Sequence, residues 1–311
     1  MFQPEHIVET PGAQEAAGKF NPGAVIIEHV ANSSLDHPLI HLPKIFGVDF
    51  SVTKHVLMVW IVAAVVFFLV TLTVRRYLRQ DRRIPSGFMN ALEFFVVYLR
   101  DNVIEPNVGK KRVNTYAPLL LTFFAFILTA NLIGIFPIFD VLSLINHTVL
   151  HAPEESFFAR VLHGGVTPTG NYNVTAGLAT VTFLTIIVAG SRTHGFVQHW
   201  KNLVPHGVPL WLYPLLIPLE LVGMLVRPFA LTMRLAANMT GGHIAILAIL
   251  SFVFIFFELF GQAAALGVGV ILSLPVGVGL SGLELIVILV QAYVFTLLSA
   301  VFIGMAIHAH H

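Results

Sequence analysis

The chain has 311 residues, of which 56% are hydrophobic and only 11% are Asp, Glu, Lys or Arg. That charged share is about half of the share found in soluble domains, which is too small to cover a water-exposed surface. The absence of cysteine excludes disulfides, thiolate metal sites and thiol catalysis, and the net charge of +1 gives no reason to expect a nucleic-acid partner.

Residues 1–53 are polar and rich in turn-forming residues, and they lack the basic start and apolar core of a cleavable signal peptide. We predict that they form an extramembrane segment. The first predicted span, about 54–74, contains an uncharged run at 56–74 that is long enough to cross a bilayer as a helix. It is followed by a basic cluster made of Arg75, Arg76, Arg79, Arg82 and Arg83. The positive-inside rule places this cluster in the cytoplasm and the N-terminus outside.

Residues 86–105 combine charged residues with apolar ones at helical spacing. The apolar positions are Phe88, Leu92, Phe95, Val96 and Leu99. This pattern predicts an amphipathic helix that lies on the cytoplasmic surface without crossing. A second group of basic residues, 110–112, keeps the chain on that side, so the apolar run 113–137 is predicted to cross outward and to end at Pro137.

The polar segment 140–170 is predicted to lie outside, and the span 173–191 returns the chain inward. This span ends at another basic cluster, composed of Arg192, His194, His199 and Lys201. Because the basic clusters fall on the same predicted side, they support one topology.

The remainder predicts two long helices, about 210–256 and 281–307, joined by an apolar Gly-rich connection at 261–279. The first is too long to cross upright, so it must tilt strongly, kink at its prolines, or both. The sequence therefore predicts an all-α integral membrane protein with five transmembrane helices and one amphipathic surface helix, the last two spans being long and strongly tilted. The predicted membrane domain covers 54–308, with the C-terminus inside.

Arg234 lies in the middle of an apolar stretch, LTMRLAANMTGGH. A guanidinium at the centre of a bilayer costs between about 2.5 and more than about 10 kcal/mol, and it does not lose its charge. Arg234 should therefore face protein, water or a counter-charge, and never lipid.

Polar residues follow one stripe on each of the two long helices. On the first, the stripe contains Glu220, Arg227, Arg234, Asn238 and Gly241, whose spacings are 7, 7, 4 and 3 residues. On the last, the main polar residues are Ser281, Glu284, Gln291 and Thr296. Two polar seams on neighbouring helices suggest the facing walls of a water-filled path.

The stretch ALTMRLAANMTGGH resembles the hallmark of the a subunit (subunit 6) of F-type ATP synthases, in which an Arg is followed four residues later by Asn and then by a pair of small residues. LVQAYVFTLLS resembles the last-helix signature of the same family. Asn131 in TANLIGIFP, the Asn-Val-Thr at 173–175 and Glu220 extend the resemblance, which covers about residues 50–308.

The resemblance implies a role for each matching residue. Arg234 would be the essential cation that faces the carboxylates of a c-ring, with Gln291 as its neighbour. Asn238, His243 and Glu284 would line one half-channel, and Glu220 would lie on the path to the opposite side. Many bacterial members have an acid in place of His243 and a histidine in place of Glu284. If the two positions touch, this exchange preserves one carboxylate and one imidazole.

The implied function is that of a proton-conducting stator subunit of a rotary ATP synthase, which is not an enzyme by itself. Two aqueous half-channels would load and unload the ring carboxylates, and Na⁺ remains open as the coupling ion. The implied partners are the c-ring, the b-subunit peripheral stalk, the rest of the complex and membrane lipid, with no cofactor and no metal. The implied location is an energy-coupling membrane, the bacterial inner membrane.

Two other classes of function stay open at this point. An ion-coupled secondary transporter would also place Arg, Glu and His inside the membrane, although the sequence lacks the internal repeat of many transporters. A membrane metalloenzyme is suggested by two HxxxH pairs, His37 with His41 and His147 with His151. Both pairs fall on the predicted outer side, and the HxxHH boxes of membrane desaturases are absent from the sequence.

Overall fold

The structure is a computed structural model that describes residues 23, 26–27, 39–43, 49, 51–79, 85–135, 146, 167–201 and 209–308. Most of the predicted N-terminal segment and of the outer segment 140–170 therefore lies outside the described residues. Five described helices are long and apolar enough to cross a membrane, which confirms the predicted all-α membrane fold.

The helices follow one another in this order: α1 (Lys54–Leu78), α2 (Phe88–Leu99), a π-helical segment (Arg100–Ile104), α3 (Glu105–Val108), α4 (Val113–Ile135), α5 (Tyr172–His194), α6 (Phe196–Lys201), α7 (Tyr213–Phe260), α8 (Gln262–Ala264), a second π-helical segment (Ala265–Val270) and α9 (Ile271–Ile307).

Local sequence explains where several helices begin and end. The side chain of Asn171 accepts a hydrogen bond of 2.8 Å from the backbone N–H of Asn173 and so caps the start of α5. Arg192 and His194 lie in the last turn of α5, where a positive charge suits the helix dipole. Gly195, with a φ of 88°, then ends the helix in a conformation that favours glycine.

The chain divides into two compact units, and α7 and α9 each contribute to both. The main unit consists of Asn32–Gly241 and Glu284–His311. Its core joins buried side chains of α4, α5, α7 and α9, among them Leu120, Ile127, Ala189, Leu235 and Ala292. The predicted surface helix is present as α2, and Leu99, at its end, is buried in this core while Phe88 and Phe94 are exposed.

The smaller unit consists of Met1–Ala31 and Gly242–Leu283. Within it, the end of α7 closely approaches the second π-helical segment and the start of α9, in each case at a glycine. A Cβ on Gly269 would lie 3.1 Å from the Cα of Val253, and one on Gly277 would lie 3.4 Å from Leu250. The chain reverses at Gly261, whose φ is 81°.

Two boundaries differ from the sequence prediction. The apolar segment predicted as a connection, 261–279, is helical from Gln262 onward, and α9 begins at Ile271, ten residues before the predicted start at 281. The physical reason is that backbone N–H and C=O groups in apolar surroundings must bond to one another, so an irregular connection is unfavourable there.

Helix α7 is 48 residues long and remains helical through Pro218 and Pro228. At 1.5 Å per residue it is about 72 Å long, more than twice the roughly 30 Å thickness of a hydrocarbon core. It therefore cannot lie upright within that layer, in agreement with the reasoning that predicted a strong tilt.

Candidate functional site

The middle of α7 has one buried and one exposed face. Leu231, Leu235 and Met239 are buried in the main unit. The exposed face carries Ala230, Met233, Arg234, Ala237, Asn238 and Gly241. Ala230, Ala237 and Gly241 lie around Arg234 and Asn238. Because their side chains are small, another helix can approach these polar groups closely.

Gln291 of α9 joins the two helices next to Arg234. Its Oε1 accepts a hydrogen bond of 2.8 Å from Nδ2 of Asn238, and its Nε2 donates one of 2.9 Å to the backbone carbonyl of Arg234. The side chain of Gln291 is only 5% exposed. Both ends of this amide are therefore used to hold the turn that presents Arg234.

Arg234 itself has an exposed side chain. Among the residues that the structure describes, no Asp or Glu carboxylate lies within 4.0 Å of its guanidinium. The backbone of Arg234 is thus anchored by its own chain, while its charge is not neutralised by a described acid.

Arg227 lies on the same stripe in different surroundings. Its Nη2 lies 3.5 Å from Oε1 of Glu220, and its guanidinium carbon lies 5.7 Å from the centre of the Phe302 ring. An ion pair and a cation–π contact therefore engage Arg227 within the main unit.

Two further predicted site residues lie in different units. Glu284 belongs to the main unit, is 4% exposed, and lies seven residues before Gln291 on α9. His243 belongs to the smaller unit and is partly buried.

Two hydroxyls of the predicted seam bond to their own helix. Ser281 donates to the carbonyl of Gly277 over 3.0 Å, and Thr296 donates to the carbonyl of Ala292 over 2.9 Å. Each of the two hydroxyl groups therefore already donates its hydrogen bond to a carbonyl of its own helix.

Sequence analysis missed a buried polar cluster beside the exposed face of α7. The hydroxyl of Thr169 donates a hydrogen bond to the side-chain oxygen of Asn131, and both residues are fully buried. Thr240, two residues after Asn238, donates to the carbonyl of Gly170 over 3.3 Å. In the described part of the chain, Nδ2 of Asn131 has no hydrogen-bond partner. The resemblance singled out Asn131, but nothing in the pattern of the polar segment before α5 identified Thr169.

A second missed contact connects α5 to α9. The hydroxyls of Thr182 and Ser299 lie 3.2 Å apart, and both residues are buried. Thr175 and Thr182, which lie seven residues apart and so on one face of α5, were the available signal.

Comparison with known proteins decides the family. The family described as ATP synthase A chain matches residues 56–304. The chain belongs to this family. It is 37% identical over 307 residues to ATP synthase subunit a of Pelodictyon phaeoclathratiforme, a match that covers 96% of this chain and 80% of the relative. It is also 37% identical over 264 residues to ATP synthase subunit a of Myxococcus xanthus, covering 85% of this chain and 75% of the relative.

Membership of the ATP synthase A chain family confirms the resemblance seen in the sequence. The chain is a multi-pass membrane protein and a membrane subunit of an ATP synthase complex, with a role in ATP synthesis and ion transport.

The finding also weighs against the two other classes of function. The ATP synthase A chain family matches 249 residues, 56 to 304, which is most of the chain. Within the described ranges, no group of three or more His, Asp or Glu side chains is arranged to hold a metal ion. His37, His147 and His151 lie outside the described residues.

Proposed function

We propose that this chain is the stator side of the proton path in a rotary ATP synthase, with two aqueous half-channels that load and unload carboxylates on a c-ring. The observation that carries the proposal is the surrounding of Arg234. A permanent cation inside an apolar span has its backbone held by Gln291, while its side chain is exposed and has no described acid partner.

An unpaired guanidinium in an apolar helix is costly, and a partner from outside the chain would offset that cost in the working protein. A carboxylate on a neighbouring ring would do so. The same contact lowers the carboxyl pKa by about 1 to 3 units, which favours proton release as the ring carboxyl reaches the stator. The positive charge of Arg234 also opposes the direct passage of protons from one half-channel to the other.

Gln291, Asn238, His243 and Glu284 are proposed to line the half-channel beside Arg234. Glu220 is proposed to lie on the path to the opposite membrane surface. Fourteen residues separate it from Arg234 along α7, which corresponds to about 21 Å at 1.5 Å per residue.

We also propose the predicted orientation and partners. α1 and α5 both carry basic residues in their last turn, and α4 is preceded by residues 110–112, all basic. The positive-inside rule then places these helix ends on the cytoplasmic side of a bacterial plasma membrane. With this topology the N-terminus lies outside the cell and the C-terminus lies in the cytoplasm. The c-ring would face α7 and α9, and the b-subunit stalk would contact the remaining helices.

Two adjacent alanines provide a direct test. Because the chain has no cysteine, an introduced cysteine is the one thiol in this subunit. Ala237 is exposed on the Arg234 face, whereas Ala236 is fully buried. In the assembled complex, Ala237→Cys should form a disulfide with a cysteine placed next to the ring carboxylate, and Ala236→Cys should not. Equal cross-linking of both variants, or none by Ala237→Cys in a complex that still couples ATP synthesis, would contradict the proposal.

A further inference from the structure

A cavity lies where the end of α1 meets the start of α2, far along the chain from the proposed ion path. Its volume is about 330 Å³, and its lining consists of Thr73, Arg76 and Tyr77 from α1 together with residues 86–89. This volume lies at the lower end of the range of small-molecule sites, which begins at about 300 Å³.

Three exposed arginines lie near the end of α1, and one of them lines the cavity. Arg75, Arg76 and Arg79 are all exposed, and no carboxylate in the described part of the chain lies within 4.0 Å of any of them. Three like charges within little more than one helical turn repel one another. An anion bound at the cavity would relieve that repulsion, and Arg76 is the member of the three that lines it.

The opposite wall adds hydrogen-bond donors. α2 starts at Phe88, and its N-cap, Gly87, has a φ of 59° with no side-chain cap. The first N–H groups of a helix have no acceptor within the helix. The N–H of Asn90 donates to the carbonyl of Gly87. The N–H groups of Phe88 and Met89, two residues that line the cavity, are left as donors to an anion held by Arg76.

The surroundings indicate what kind of anion fits. Phe88, which lines the cavity, is exposed, and so are Leu72 and Leu78, the sequence neighbours of the lining residues Thr73 and Tyr77. α1 is an apolar helix of 25 residues that ends in basic residues, so this end lies at the level of the lipid headgroups. A ligand here meets a cationic, hydrogen-bonding cavity flanked by apolar surface.

We propose that this cavity binds the phosphate of an anionic phospholipid. The guanidinium of Arg76 donates paired hydrogen bonds to the phosphate oxygens, and the acyl chains lie along the exposed leucines of α1. The site goes beyond the proposed ion path, because it does not involve Arg234 or its neighbours.

The test compares two of the three arginines near the end of α1. The assembled complex, as wild type, Arg76→Gln, Arg76→Lys and Arg79→Gln, is placed in nanodiscs that contain equal amounts of phosphatidylglycerol and phosphatidylcholine. The complexes are then washed in detergent, and the retained lipid is counted by mass spectrometry. A parallel wash contains an excess of inorganic phosphate. Arg79 serves as the matched control, because it is one of the three arginines and does not line the cavity.

Arg76→Gln should lower retained phosphatidylglycerol by about tenfold or more, as expected for a lost charge-assisted contact. Arg79→Gln should lower it by no more than about fivefold, the effect of a nearby surface charge. Arg76→Lys should fall between wild type and Arg76→Gln, since lysine keeps the charge and loses the paired donors.

Four results would overturn the site. The first is that Arg76→Gln and Arg79→Gln lose equal amounts of phosphatidylglycerol, and the second is that the complex retains as much phosphatidylcholine as phosphatidylglycerol. The third is that inorganic phosphate displaces the lipid. The fourth is that Arg76→Gln loses a neighbouring protein subunit while its retained lipid is unchanged. The lipid count does not depend on proton transport, so its outcome leaves the proposed ion path untouched.

Discussion

Arg227 and Arg234 lie about two turns apart on the same face of α7, yet their surroundings differ. Arg227 is 3.5 Å from Glu220 and close to the ring of Phe302. Arg234 has its backbone held by Gln291 and its side chain exposed, without an acid among the described residues near it. A polar stripe on a membrane helix can therefore contain one cation that pairs with an acid of the same chain and another that is left for a partner.

The largest expected effect is a difference in activity between the two arginines. Arg234→Ala should lower ATP synthesis driven by an imposed proton gradient by about 100-fold or more, the usual loss when a preorganised charge is removed. Arg227→Ala should retain more than about a tenth of the activity, because Glu220 can take up a proton once its partner is gone. The measurement is ATP synthesis in membrane vesicles with equal amounts of assembled complex. Similar losses for both variants would remove the distinction.

The second prediction concerns the helix that supplies the contacts of both arginines. A Cβ on Gly304 of α9 would overlap the backbone carbonyl of Asn107, whereas one on Gly282 of the same helix would meet no atom within 4 Å. Gly304→Ala should destabilise the complex by about 1–3 kcal/mol, as overpacking does, and Gly282→Ala should not. Thermal release of the chain from the purified complex measures this effect. If both variants are equally stable, α9 is not held tightly at Gly304.

The third prediction separates support of Arg234 from support of Arg227. Gln291→Leu removes two hydrogen bonds to the Arg234 turn and leaves Glu220 and Phe302 in place. We expect about a tenfold loss of ATP-driven proton pumping, which corresponds to about 1.4 kcal/mol, without loss of assembly. Gln262→Leu, the same change at an exposed position, is the control. Full activity of Gln291→Leu would mean that the turn needs no support from α9.

The fourth prediction tests the ion pair of Arg227. Glu220→Gln leaves a cation that cannot lose its proton, whereas Arg227→Gln leaves an acid that can gain one. Glu220→Gln should therefore reduce the amount of assembled complex more than Arg227→Gln does, by roughly the 1 kcal/mol of a partly exposed pair. The double variant should recover most of the loss. Immunoblots of isolated membranes measure the amounts, and a double variant worse than either single change would show that the two side chains act independently.

The smallest expected effect concerns His199, a side chain that can lose its charge where the arginines cannot. Burial lowers the pKa of His199 below 6.5, and the nearby His194 contributes to this shift. The unfolded chain then binds more protons than the folded one just below pH 6.5, so stability falls as the pH drops through that range. His199→Gln should flatten this part of the profile by less than about 1 kcal/mol. An unchanged dependence of thermal release on pH would contradict this.

Packing around His199 gives an independent check on its burial. A Cβ on Gly190 of α5 would overlap the His199 ring, whereas one on Gly177 of the same helix would meet no atom within 4 Å. Gly190→Ala should therefore destabilise the complex, and Gly177→Ala should not. A neutral effect of Gly190→Ala would place His199 away from α5.

Much of the fold was predictable from the sequence. Long apolar runs predicted the five spans because a helix of about 20 apolar residues matches the bilayer thickness. The 3.6-residue period placed Glu220, Arg227, Arg234 and Asn238 on one stripe of α7. The segment 261–279 was predicted incorrectly, because glycine content suggested a loop while the apolar setting favours a helical backbone.

The sequence by itself determined that α7 carries two intramembrane cations on one face, since that follows from spacing alone. Only the tertiary structure decided which of them is neutralised. The ion pair of Arg227 depends on side-chain geometry along the stripe and on Phe302 from a distant helix, and the support of Arg234 depends on Gln291 from that same helix. Periodicity defines the face of a helix, but the partner that reaches a given side chain is set by how the helices pack.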